Sequence, residues 1–143
     1  DTGRKDSIKV WGFWNILGEE AFGRPSEEEI RPWYWAWSLL CRYFPKGCDI
    51  NAVELTGSGE VRACAAESDG RHTVAVVNWS SEDVQISMQV PYTFLNASVY
   101  VYEESGAYRD TEGGLVPSYT GICGDAVSVN VPAQSLTVIT DMQ

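Results

Sequence analysis

Paired-carboxylate catalysis needs two acidic side chains brought close together by the fold, one of them with a raised pKa. The candidate carboxyl groups of this sequence are Glu19 and Glu20, Glu27 to Glu29, and Glu103 and Glu104. All three groups are sequence neighbours in loop or helix-cap settings, where solvated carboxylates do ordinary work. Ser26-Glu-Glu-Glu29 reads as a capping box at a helix N-terminus, and the positive end of the helix dipole accounts for its charges. A Ser-His-Asp arrangement would have to use His72, the one histidine, which follows a turn and is expected at the surface. No nucleophile elbow accompanies it. The four cysteines, Cys41, Cys48, Cys64 and Cys123, form no C-x-x-C pair, so no metal site is expected. No Gly-rich loop opens a helix after a strand, so no phosphate cradle and no cofactor are expected either. The chain alone is not expected to be catalytic.

The other available chemistry is aromatic. Sugar rings stack their C–H faces on exposed, coplanar Trp and Tyr rings. Tyr100 and Tyr102 are two apart in Val99-Tyr-Val-Tyr102, which sets them about 7 Å apart on one face of a strand. Trp79 falls in the loop after another strand. Together they form a candidate carbohydrate platform. The competing structural role is packing beneath a covering helix or loop, the usual use of outward aromatics in sandwiches.

Those rings need elements to hold them. Ser7 to Trp14 alternates and is read as a strand, and Gly18 to Gly23 as a loop. The stretch from Ser26 to Phe44 is read as a helix kinked or restarted at Pro32. It stops before Pro45-Lys-Gly47, where Pro cannot continue it and Gly can take a left-handed cap. Trp33, Tyr34, Trp35, Trp37, Tyr43 and Phe44 surround this helix with apolar surface, so it should be buried on nearly every side. Leu40 and Phe44 are expected to cover the strand edge near Ala52 to Leu55.

Downstream, the period becomes two. Val84, Ile86, Met88 and Val90 point one way between Gln85, Ser87 and Gln89, and Val127, Val129 and Val131 repeat the scheme. Val61 to Glu67 and His72 to Asn78 flank a Ser68-Asp-Gly-Arg71 hairpin, with Gly70 supplying the positive φ. Ser98 to Glu103, Ser135 to Thr140 and a short strand near Ala52 to Leu55 complete the set. The long Gly106 to Gly124 stretch is read as irregular. The fold class is therefore mostly β: an antiparallel, immunoglobulin-like β-sandwich of about seven to eight strands with one N-terminal α-helix packed on it.

The 143 residues fit one domain with an appended segment, and 44% hydrophobic content supports a packed core. The net charge of −10, with scattered Lys and Arg, argues against a nucleic-acid partner. No stretch approaches the length of a membrane span, and the N-terminus lacks the layout of a signal peptide. Two disulfides, Cys41–Cys48 the most local pairing, would suit an exported protein. Four free thiols are the simpler expectation, because no other feature calls for staples. Asn78-Trp-Ser80 and Asn96-Ala-Ser98 match N-glycosylation acceptors.

The order of several short motifs carries a resemblance. Trp-Gly-Phe-Trp-Asn (11–15), Arg-Pro-Trp-Tyr-Trp-Ala-Trp-Ser-Leu-Leu (31–40), Arg-Tyr-Phe-Pro-Lys-Gly (42–47), Ala75-Val-Val-Asn78 and Val-Pro-Ala-Gln-Ser-Leu-Thr-Val-Ile-Thr (131–140) succeed one another. This resembles the C-terminal end of a retaining, clan-A (β/α)8-barrel glycoside hydrolase, similar to families 30, 39 and 51 and some of family 5. In those enzymes a β-sandwich follows the last barrel helix. The resemblance implies that residues 1–25 are a remnant of the last barrel strand and its loop, 26–47 an aromatic linking helix, and 48–143 the sandwich. It also implies that both catalytic glutamates, which sit on barrel strands four and seven, precede residue 1.

On this resemblance the chain would be a non-catalytic accessory domain. Trp33, Tyr34 and Trp37 would face the catalytic barrel of the same polypeptide, and Trp14 would line its sugar site. Trp79, Tyr100 and Tyr102 would extend the cleft toward an oligosaccharide or polysaccharide. Two alternatives stay open: a free-standing carbohydrate-binding module using Trp79, Tyr100 and Tyr102, and an immunoglobulin-like interaction domain of a surface protein. A secreted or cell-surface setting is expected over a cytoplasmic one.

Overall fold

The computed structural model describes residues 33–57, 59–103, 106–111 and 114–143, with the Trp33 side chain excepted. The expected strand at Ser7 to Trp14, the Ser26 capping box, and Glu19, Glu20, Glu27 to Glu29 and Glu104 lie outside the described residues. Helix α1 spans Trp33–Tyr43. Its end falls where Pro45 and Gly47 demand, with Gly47 at φ 88°. Among the described residues seven strands follow: β1 Asp49–Ala52, β2 Val61–Ser68, β3 Arg71–Asn78, β4 Val84–Glu103, β5 Gly106–Ala107, β6 Tyr119–Val131 and β7 Ser135–Thr140. Among the described residues the fold is mostly β, a small antiparallel sandwich with one helix.

Hydrogen-bonded neighbours run β1-β2-β3-β7-β4-β5, and β6 pairs with β4. Strand β4 links the two layers. Its Ser98–Tyr102 part pairs with β7, while Val84–Gln89 and Phe94–Val99 pair with β6. Val61, Val74, Val76 and Ile139 of the larger layer meet Ile86, Val90, Phe94, Val127, Val129 and Val131 of the smaller one. Burying each such aliphatic side chain contributes about 1.5–3 kcal/mol.

The other face of the larger layer packs on α1. There Ala36, Leu39 and Tyr43 cover Ala75, Tyr100, Leu136 and Val138. Strand β7 is consequently buried along its whole length. A strand covered on both faces reads as a near-continuous apolar run, and Ser-Leu-Thr-Val-Ile-Thr fits that description better than an alternating one.

Four expectations change. Val84–Val90 and Ser98–Glu103 belong to one 20-residue strand rather than two. Register shifts between Gln89 and Phe94, Leu95 and Ala97, and Ala97 and Ser98 let it bend from one layer into the other, and Pro91 sits where pairing is broken. Strand β6 begins at Tyr119, so ordered pairing takes up the end of a segment expected to be irregular; Gly121 and Gly124 supply positive φ there. Strand β1 lies at Asp49–Ala52, ahead of its expected place.

The fourth change concerns the helix. Leu39 and Tyr43 are its fully buried residues, whereas Leu40 and Phe44 are partly buried at the side. The helix therefore crosses the middle of the sheet rather than the β1 edge. The hairpin holds as expected, with a refinement: Asp69 (φ 52°) and Gly70 (φ 71°) are both left-handed, as a two-residue type I′ turn requires.

Candidate functional site

Three places on the molecule bring together groups that could do chemistry. The first is the helix-covered face. Tyr100 is only 8% exposed and its ring packs on Tyr43, with centroids 5.0 Å apart and planes at 37°. The proposed platform of Tyr100 and Tyr102 is corrected accordingly. The two rings do share a face that points away from the sandwich interior, but α1 occupies it at Tyr100. Burial, then a hydrogen bond with Tyr100, hold the Tyr43 phenol well above its ordinary range. Tyr102 is half-buried further along the strand.

On the helix's far side, Tyr34 is 37% exposed and Trp37 half-buried. Trp35 is buried instead, with Tyr34 edge-on at 4.9 Å and the Arg109 guanidinium 5.0 Å from its ring centre. Trp33 lies at the first described position of the helix.

The second place is the turn after β3. Trp79 is 68% exposed, and its backbone N–H donates to the Glu60 carbonyl at 2.9 Å. Asn78 beside it is 1% exposed. Its Nδ2 donates to the carbonyls of Glu82 (2.8 Å), Pro132 (3.0 Å) and Val131 (3.2 Å), and its Oδ1 accepts from Ser80 N–H and Oγ. That carboxamide ties the turn after β3 to the turn before β7, so Asn78 has a structural role in the folded chain. Asn96 is exposed. Trp14 lies outside the described residues.

The third place was missed from the sequence. A cleft of about 740 Å³ opens between the two layers at the β1 side. Val61, Ala65 and Val74 line one wall, and Ile86, Met88 and Val90 the other. His72 closes one end. Its side chain is 13% exposed, not solvated as expected, and stacks on Tyr92 with ring centroids 3.6 Å apart and planes at 8°.

The physical reason is alternation along β3. Even-numbered Val74 and Val76 point into the sandwich, so His72 does too. His72 Nε2 stands 3.9 Å from a Glu67 carboxylate oxygen, and its backbone N–H donates to Asp141 Oδ1 at 2.7 Å. His72 Nδ1 and the Tyr92 hydroxyl are buried without hydrogen-bond partners among the described residues. Burial, followed by the Asp141 and Glu67 carboxylates, pushes the Tyr92 phenol up to about 12.

All four cysteines are free thiols; Cys41 and Cys123 are exposed, and Cys48 and Cys64 half-buried. Burial raises the Cys41 and Cys64 thiols. Among the described residues, no group of three or more His, Cys, Asp or Glu side chains could hold a metal. No described helix is long and apolar enough to cross a membrane.

No family model matches this chain, and no curated protein does. Solved structures do match in fold. A GH30 endoxylanase from Clostridium papyrosolvens C71 superposes with a TM-score of 0.64 at 14% identity, over 80% of this chain and 28% of its own. A glycoside hydrolase family 30 subfamily 8 xylanase from Clostridium acetobutylicum gives 0.66 at 14% identity, over 82% and 29%. The catalytic domain of GH30 xylanase C from Talaromyces cellulolyticus gives 0.55 at 17% identity, over 82% and 25%. The chain thus spans less than a third of each of these three structures.

Proposed function

We propose that this chain is a non-catalytic accessory β-sandwich of a glycoside hydrolase, held against the (β/α)8 barrel of the same polypeptide. The observation that carries the reading is the agreement in fold over four-fifths of this chain with part of much longer glycoside hydrolases. Helix α1 gives it a physical basis. Its inner side is committed to the sandwich through Leu39 and Tyr43, while Tyr34 and Trp37 remain on the other side for a second body. Aromatic side chains of this kind anchor interfaces because they bury large areas at low entropic cost.

Residues 1–25, on this reading, complete the barrel's last strand and loop, with Trp14 at its sugar site. Trp79 is then the ring best exposed to meet a polysaccharide, and Tyr102 a secondary contact. The neighbours are xylanases, which makes xylan the first polymer to test. A polymer of that size does not cross membranes, so the reading places the protein outside the cell. The free-standing binding-module alternative loses ground because Tyr100 is packed against Tyr43.

The test is the coding sequence upstream of residue 1 together with activity. A barrel-length segment bearing glutamates at the ends of its fourth and seventh strands is expected, and the longer polypeptide should hydrolyse xylan. The 143-residue chain should not, and Trp79→Ala in the longer polypeptide should weaken xylan retention while leaving turnover of a short aryl-glycoside unchanged. Hydrolysis by the chain alone, or an upstream segment without a barrel, overturns the reading.

A further inference from the structure

Between β4 and β6 the chain forms a short clasp over the start of α1. Strand β5 pairs with the end of β4, Ala107 opposite Tyr102 and Gly106 opposite Glu103. Two arms, 106–110 and 114–116, then brace each other. The Asp110 N–H donates to the Gly114 carbonyl at 2.9 Å, and the Val116 N–H to the Tyr108 carbonyl at 3.1 Å. Asp110 Oδ1 accepts from the Gly114 N–H at 2.7 Å. The Ser118 N–H returns the chain to β4 by donating to the Val99 carbonyl at 2.7 Å.

Successive side chains of an extended arm face opposite ways. Arg109 turns onto the helix, its guanidinium 5.0 Å from the Trp35 ring centre. Leu115, bridged to Arg109 across the arms, packs on the helix-covered cluster. Tyr108 is left 59% exposed. An aromatic ring held out on a braced backbone is a contact surface that needs little further ordering.

What the ring meets follows from its place along the helix. In a (β/α)8 barrel the loop after each strand lies at the catalytic end, so the helix that follows begins there. If α1 is the barrel's last helix, its first turn, at Tyr34 and Trp35, lies at that end. The clasp grips this same turn through Arg109. Tyr108 is thereby carried toward the rim of the sugar-binding cleft.

We propose that Tyr108 is a distal subsite of that cleft, a ring on which one sugar unit stacks away from the bond that is cut. This rests on the accessory-domain reading for the barrel itself. The ligand class is a chain of pyranose units with equatorial substituents and linkages, because such units present a flat C–H face to an aromatic ring. A ring in this position touches long substrates alone. It binds ground state and transition state alike, so it lowers KM and leaves kcat unaltered.

The test uses the longer polypeptide that holds barrel and sandwich. Its substrates are an aryl-glycoside and the hexamer of the polymer it hydrolyses best, starting with xylan. Tyr108→Ala should raise KM for the hexamer roughly three- to tenfold, with kcat, aryl-glycoside turnover and the melting midpoint unchanged. Tyr108→Phe keeps the ring and should behave as the unaltered protein.

An unchanged KM for the hexamer in Tyr108→Ala, or an equal rise for hexamer and aryl-glycoside, overturns the proposal. So does an equal loss in Tyr108→Phe, which would make the hydroxyl and not the ring the contact. A lowered melting midpoint in Tyr108→Ala also overturns it, since the ring would then be packing. Each of these leaves the accessory-domain reading standing. An upstream sequence without a barrel overturns that reading and this subsite with it.

Discussion

Both faces of the larger sheet are apolar, but their centres are covered by different kinds of element. On the α1 side, Leu39 and Tyr43 seat onto Ala75, Tyr100 and Val138, and most of these side chains retain almost no exposure. On the interior side, Val76, Phe94 and Val129 are equally well buried in the middle, but Ala63, Ala65 and Met88 toward β1 are only partly so. The cover on one face is a helix adjacent in sequence to the sheet. The cover on the other is a two-strand layer too narrow for the strands it faces. Completeness of a layer, rather than hydrophobicity of the residues, separates the closed face from the open one.

The closed face should show the largest mutational effect. Leu39→Ala removes a fully buried side chain and leaves a cavity between well-packed neighbours, a loss of about 2–5 kcal/mol. Against a typical stability of about 5–15 kcal/mol, chemical denaturation should register it as a marked drop in midpoint with unchanged slope. Leu40→Ala, one position away and only partly buried, should cost clearly less. Equal losses would mean that the helix does not seat as described.

Met88→Ala is the matched change on the open side. Met88 lines the cleft and is partly buried, so truncation widens a space that already exists instead of creating one. The expected loss is about 1 kcal/mol, the transfer term with little cavity term. A loss as large as that of Leu39→Ala would show the cleft to be closed in solution and would break the contrast between the faces.

Much of this arrangement was legible in the residues, and the illegible parts share a cause. The alternating runs of Val84 to Val90 and Val127 to Val131, the Asp69-Gly70 turn and the stop at Pro45 are local signals, and each stands where expected. The face of α1 was misjudged because the strand beneath it, β7, arrives about ninety residues later; nothing near the helix says that Leu39, and not Leu40, will meet Val138. The same non-local cover turned Tyr100 from a surface ring into a packed one. His72 is different. Its alternation with Val74 and Val76 was present in the sequence, and proximity to a turn outweighed it. The cleft was not legible, since it arises from how many strands each layer receives.

The smallest expected effect comes from pH, and it tests the two faces through their tyrosines. Tyr92, at the end of the cleft, is held at about 12 against an ordinary 10, chiefly by burial and then by the Asp141 and Glu67 carboxylates. In the unfolded chain the phenol ionises near 10, while the folded protein resists ionisation until about 12. The unfolded state therefore binds fewer protons across that window, and stability falls as pH rises through it. The contribution is whole below pH 10 and is lost toward pH 12. One fully shifted group would give a slope of about 1.4 kcal/mol per pH unit at most, and partial exposure of Tyr92 discounts this.

Tyr43, on the closed face, is raised further and through the same kind of burial, so it adds slope in the same direction. Tyr92→Phe should flatten the fall in denaturation midpoint above pH 10 by a small amount, and Tyr43→Phe by a larger one. If the cleft were open enough to hydrate the Tyr92 hydroxyl, Tyr92→Phe would leave the alkaline slope unchanged while Tyr43→Phe still reduced it. That outcome would confine the low-dielectric environment to the helix-covered face and make the contrast between the two faces sharper than the static distances imply.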